Sequence, residues 1–197
     1  MPRAVGQIDE AKTEAILKAA TDLTAELGAK VSMEAIAKRA GVSKQTLYNR
    51  FSSRVEVARA VAARRADLLT QPLTSDGEIE TVLTVYAAGL LEKLVVEHTA
   101  TAIRSVALLS AETPELADAV YQAGPAAGLR RLSAWLAEQD RAGMLVIPDP
   151  DAAAEMFSGM TLGHGHLRAV LGLPPPAFDI QARARDAARR FLRAFSA

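Results

Sequence analysis

Apolar residues recur along this chain at intervals of three and four. Ile16, Ala20, Leu23 and Leu27 make residues 9 to 27 an amphipathic helix that Gly28 ends. Ser32 then stands before Met33, Ile36, Ala37 and Ala40, a cap followed by one apolar face, and Gly41 closes this second helix. Ser43 caps a third, running about eight residues to Phe51 with Leu47 and Phe51 inward. After Ser52 and Ser53, "RVEVARAVAARRADLL" is a fourth helix over 54–70 with Val57, Val61 and Leu68 inward. "PLTSDG", residues 72–77, is the first linker-like stretch.

The pattern stays helical beyond it. Helices are expected over 78–97 and 99–110, then from Thr113-Pro114, with a break at Gly124-Pro125. The next carries Leu129, Leu132, Trp135 and Leu136 to an end near Gly143. "VIPDPD" connects it to an apolar helix from Asp151 to about Leu171, and "IQARARDAARRFLRAF" is the last. The expected fold is all-α with about nine helices: a three-helix N-terminal domain over 1–53, a connecting helix over 54–70, and a helical bundle over 71–197.

Helix, Gly-containing turn, helix over 33–51 is a helix-turn-helix. Ala37 permits close approach, Gly41 accepts a left-handed turn, and Val42 and Leu47 fill the space between the helices. At about 100° per residue, Gln45, Thr46 and Asn49 point away from Leu47 and Phe51, flanked by Lys44 and Tyr48. Amides suit adenine edges and Lys suits guanine in a major groove. Tyr48, Ser32, Ser43 and Arg54 suit phosphates, as do the amides that open the second and fourth helices.

Charge supports this use. The net charge of zero conceals twelve Lys and Arg against seven Asp and Glu in residues 1–65, and eleven against sixteen in the remainder. Such an asymmetry points the basic half toward a polyanion. The absence of cysteine excludes disulfides and thiolate chemistry. The N-terminus lacks the apolar core of a signal peptide, and "VLTVYAAGLLEKLVV", interrupted by Glu92 and Lys93, is too short for a membrane span. A cytoplasmic protein with no membrane partner is expected.

"VSMEAIAKRAGVSKQTLYNRFSSRVEVARAV", residues 31–61, resembles the DNA-binding signature of TetR-family transcriptional regulators. The resemblance assigns Ser32 and Tyr48 to phosphate and Lys44, Gln45, Thr46 and Asn49 to the recognition surface, with Arg54 in the place of the family's usual Lys. Three positions depart from the pattern: Ala29 replaces an aromatic, Arg50 replaces a His or Tyr, and the acid after the Lys comes one position late, as Glu56. Arg50 suits either a phosphate or Glu56.

Residues from Ala111 to Met160 resemble the AefR-type C-terminal domains of the same family. That implies a homodimer built mainly from the last two helices and a ligand cavity in each regulatory domain. Met156, Phe157, Met160, His164, Leu167 and Leu171 form one expected stripe on the 151–171 helix, and Gly159 and Gly163 a small-residue groove. Gly159, Gly163, His166 and Leu167, with Phe191 and Phe195 of the last helix, are the expected dimer surface; packing within the chain explains the Gly face equally well.

Tyr86, Tyr121, Trp135, Phe157 and Met160 suit an apolar effector pocket, although at helical spacing they are also ordinary core. Arg104 is the one charge in "TAIRSVALL" and, if buried, needs an acid or an anionic ligand. His164 and His166 lie about 200° apart on a continuous helix and could chelate one ion only if Gly163 and Gly165 disrupt that helix; no metal and no cofactor is expected.

The function these features imply is a ligand-responsive regulator, a repressor that binds a palindromic double-stranded operator as a homodimer and is released by a small-molecule effector. The alternatives are a helical enzyme and a helical dimer that serves as a partner protein without DNA. The chain lacks Gly-x-Ser-x-Gly, a phosphate-binding loop and any acid–histidine metal spacing, which disfavours catalysis.

Overall fold

The computed structural model describes residues 5–95, 97–174 and 176–196, without the side chains of 5–9, 29, 94–95, 97–101 and 109. The side chains of Ala29 and His98 are thus not among those described. Among the described residues the chain is all-α, and its one extended contact is the isolated bridge between Leu145 and Ser196.

The N-terminal helices are α1 (Val5–Leu27), α2 (Met33–Ala40), α3 (Lys44–Tyr48) and α4 (Arg54–Thr70). Each of the last three starts on a serine. Ser32 Oγ accepts from Ala35 N at 3.1 Å, Ser43 Oγ from Thr46 N at 3.0 Å, and Ser53 Oγ from Glu56 N at 3.3 Å. Glu56 Oε2 returns the favour by accepting from Ser52 N at 2.6 Å, which lowers its carboxyl pKa. The late acid is therefore the closing half of a cap. Gly41 ends α2 at φ +66°, the left-handed conformation that only glycine adopts without strain. Ile16, Leu23, Ile36, Leu47, Phe51 and Val57 are buried together and hold the three-helix unit to the start of α4.

The remaining helices are α5 (Ile79–Val95), α6 (Glu97–Leu109), α7 (Pro114–Ala123), α8 (Pro125–Arg141), α9 (Pro150–Leu162), α10 (Gly165–Val170) and α11 (Ile180–Ala194). Their core centres on an aromatic run. Phe157 stands edge-on to Phe191 with centroids 5.1 Å apart, Tyr86 lies 6.2 Å from Phe157, and Phe195 lies 4.6 Å from Phe191. Burial pushes the Tyr86 hydroxyl up to about 12, partly opposed by its bond to Ser158.

Two expectations about the elements are corrected. The third helix spans five residues rather than eight. The 151–171 helix is broken, because Gly163 sits at φ +52° and the Arg183 side chain fills the space where a β-carbon would stand. Arg183 Nε donates to Thr161 O at 3.0 Å, a cation satisfying a carbonyl at the end of α9.

The two cores meet along α4. Gly124, at the corner between α7 and α8, lies against Ala62, where a β-carbon would come 3.4 Å from that of Ala62. Arg131 of α8 reaches the end of α4, donating to Thr70 Oγ1 at 3.0 Å and Asp67 Oδ1 at 2.5 Å. A second joint lies at Gly28, which is held at φ +75° with Ser105 Oγ of α6 2.7 Å from where its β-carbon would be.

Burial divides the aromatic residues by energetic weight. Phe157→Ala should cost about 3–5 kcal/mol in urea unfolding, whereas Tyr121→Ala, at a position 53% exposed, should stay within about 0.5 kcal/mol. Comparable losses in the two variants would contradict this placement.

Candidate nucleic-acid interface

The surface of α3 and its flanks gathers the residues nominated for DNA. Ser32, Ser43, Lys44, Gln45, Tyr48 and Asn49 are exposed and Thr46 and Arg54 half-buried, while Leu47 of the same helix is fully buried. One buried leucine and the cap on Ser43 orient the whole short helix. The amphipathic division expected from spacing is thus present, with the apolar side anchored in the N-terminal core.

The polar side is engaged with itself. Gln45 Nε2 donates to Asn49 Oδ1 at 2.7 Å, one helical turn on. Ser43 Oγ and Thr46 Oγ1 share a hydrogen bond of 2.8 Å, so the Ser43 hydroxyl is occupied by capping as well as by its neighbour. Lys44 Nζ donates to Glu34 Oε1 at 3.0 Å, reaching back to the first turn of α2. That hydrogen bond is the main cause of a lowered Glu34 carboxyl pKa. A carboxylate therefore holds the ammonium much as a phosphate oxygen would.

Arg50 is directed toward α1. Its Nη1 donates to Thr13 Oγ1 on α1 at 3.1 Å, and the side chain is half-buried. It ties the end of the recognition helix to α1 and so fixes the angle at which α3 is presented. Neither Glu34 nor Thr13 was distinguished by the sequence, because ten and thirty-seven residues separate them from their partners and no local periodicity links such positions. The visible signal for Glu34 is that it is one of two acids between Leu27 and Arg65.

The residues nominated for an effector do not converge. Tyr86, Trp135 and Phe157 are buried in the C-terminal core, whereas Arg104, Tyr121 and Met160 are exposed on α6, α7 and α9. Arg104 is not buried, and its guanidinium lies against Gly172, where a β-carbon would stand 2.5 Å from Nη1. The six do not form one pocket lining, because helical spacing alone does not distinguish core from surface.

The dimer candidates are likewise divided. Phe191 is 0% exposed within a single chain and offers no surface to a partner, which removes it from the expected interface. Phe195 is half-buried against it. Gly159, His166 and Leu167 are exposed, and nothing lies within 4 Å of a β-carbon built on Gly159. Gly163 is also exposed, but its own Arg183 occupies the adjoining space. The single expected stripe splits accordingly: Phe157 turns inward and Met156, Met160, Leu167 and Leu171 outward. His164 and His166 sit on the exposed break, and among the described residues no three His, Cys, Asp or Glu side chains gather as a metal site would require. Among the described residues, no helix is long and apolar enough to cross a membrane.

Comparison with known proteins agrees with this geometry. Residues 16–61 match the bacterial regulatory proteins of the tetR family, and residues 81–197 match the C-terminal domain of AefR-like transcriptional repressors. A TetR-family transcriptional regulator from Mesorhizobium loti shares the fold at a TM-score of 0.78, with 24% identity over 96% of this chain and 98% of that one. The flavonoid-responsive regulator FrrA is 31% identical over 94% of this chain and 97% of its own, at a TM-score of 0.68. SmeT, solved in complex with triclosan, is 25% identical over 95% and 92%, at a TM-score of 0.66. Among curated proteins no match was found. With more than half of its length matched to the AefR-like domain and the helix-turn-helix matched besides, the chain belongs to the TetR family of transcriptional regulators.

Proposed function

We propose that this chain is a ligand-responsive repressor that acts in the cytoplasm, binds a palindromic operator as a homodimer, and leaves it when a small-molecule effector binds the C-terminal domain. The observation that carries the reading is α3 itself, five residues long, with one leucine buried and Lys44, Gln45, Tyr48 and Asn49 exposed on the basic half of the chain. Gln45, Asn49, Thr46 and Lys44 read base edges, exchanging their mutual bonds for bonds to the bases. Ser32, Ser43, Tyr48 and Arg54, with the opening amides of α2 and α4, meet phosphates. The work is binding and its modulation, not catalysis.

Two copies are needed to span a palindrome, with recognition helices roughly 34 Å apart. The outward side of α9 and α10 supplies a surface: Met156 is 53% exposed, Leu167 56% and Leu171 61%, beside the open backbone at Gly159. Exposed apolar groups of this density suit a second copy of the chain. The effector acts through its unequal affinity for two positions of α4, which α8 grips through Arg131. That FrrA is flavonoid-responsive and SmeT takes triclosan supports a small organic effector.

Selection of bound DNA from a random pool should yield a palindrome. Lys44→Ala and Tyr48→Ala should weaken binding to it, and Gln45→Ala should cost about 1–3 kcal/mol of discrimination at one base position. An affinity insensitive to the Lys44 and Tyr48 changes would refute the assignment.

Glu34→Gln frees Lys44 and removes a negative charge from the DNA-facing surface. Affinity for unrelated DNA should rise, and the slope of log K against log salt should steepen by about 0.9 for each protomer. Weaker binding by this variant would mean that Glu34 orients Lys44 rather than masking it.

Leu167→Asp should convert a dimer to a monomer in analytical ultracentrifugation while leaving the helical circular dichroism intact. A variant that stays dimeric excludes this face.

A further inference from the structure

A groove of about 450 Å³ runs between α1 and α4, outside both the recognition surface and the C-terminal core. Leu17, Val61 and Leu68 give it an apolar lining, and Leu68, expected to point inward, is 62% exposed. Its volume falls within the range of small-molecule sites.

The charges of the groove do not balance. Glu14 is engaged by Arg64, and Asp22 by Lys18 at 2.7 Å, so both carboxylates that line it already hold a cation. Arg65 also lines it, and among the described residues no carboxylate pairs with its guanidinium. Behind it stands Lys93 of α5, whose Nζ donates to the Arg65 carbonyl oxygen at 3.1 Å. Burial, with Arg65 adding to it, brings the Lys93 ammonium down to about 8, and burial also lowers the Arg65 guanidinium. Arg65 at the groove and Lys93 behind it are both partly desolvated cations, and an anion beside Arg65 relieves the cost of its uncompensated charge.

We propose that the α1–α4 groove is a binding site for an organic monocarboxylate with an apolar body. The carboxylate takes a forked pair of hydrogen bonds from Arg65, the arrangement to which a guanidinium is suited. The apolar body covers Leu17, Val61 and Leu68. Such an occupant bridges α1 and α4 within the N-terminal half and is separate from any effector of the C-terminal domain.

The test is calorimetric titration of the full chain with decanoate and with 2-naphthoate, using the neutral amide of each as a control. At least one acid should bind, its amide more weakly, and Arg65→Met should reduce affinity about tenfold or more. Leu68→Asp, at an exposed position that folding tolerates, should weaken the same acid by repulsion and loss of apolar contact. Saturation by neither acid overturns the proposal, as does binding unchanged in both variants, which would locate the acid elsewhere. Operator binding by the unliganded protein is measured separately, so a failure of the regulatory reading is not confused with a failure of this site.

Discussion

Helix α4 is buried by two cores at once. At its start Val57 packs with Leu47 and Phe51 beneath the recognition helix, and near its end Leu69 packs against the cluster that contains Tyr86 and Leu132. Between them Ala62 and Ala66 are buried, Ala62 against the glycine corner of α7 and α8. A helix so placed cannot move relative to one core without moving the other, because close-packed interiors transmit displacement rather than absorb it. The Arg131 fork on Asp67 and Thr70 adds a directional contact at the end nearer the C-terminal domain. α4 thus joins the presentation of α3 to the packing of α8, beside the second joint that Gly28 makes with Ser105 of α6.

The free recognition surface is ordered before any DNA arrives. Gln45 with Asn49, Ser43 with Thr46, and Lys44 with Glu34 satisfy one another. Exposed pairs of this kind contribute little to stability, but they set what must be exchanged on binding. On the proposed reading, a cognate base would return a comparable bond to each amide and a mismatched one would leave a group without a partner, which is how such a surface discriminates. Arg50 contributes in another way. Its contact with Thr13 sets the pose of α3 from behind, so a position where the family more often carries His or Tyr serves geometry here.

Much of the fold was legible because its signals are local. Serine caps at positions 32, 43 and 53 act over three residues, and Gly41 is demanded by the backbone of a single turn. The division of α3 into Leu47 below and Gln45, Tyr48 and Asn49 above follows from helical period alone. The C-terminal half was less legible because an apolar residue on a helix says only that some face is covered. Phe157 and Met160 share one helical spacing, yet one is the centre of the aromatic core and the other is open to solvent.

The sequence by itself determined that the chain is helical, that its basic half carries a helix-turn-helix, and which side chains that motif exposes, since caps, turns and periodicity act within a few residues. Tertiary structure alone decided that Gly163 breaks a helix around Arg183, that Phe191 is interior, that Arg50 reaches Thr13, and that Glu34 holds Lys44. Those outcomes depend on which surfaces the cores bring together across tens of residues. No local pattern encodes them, because a side chain's partner is chosen by the packing of whole helices and not by its neighbours in the chain.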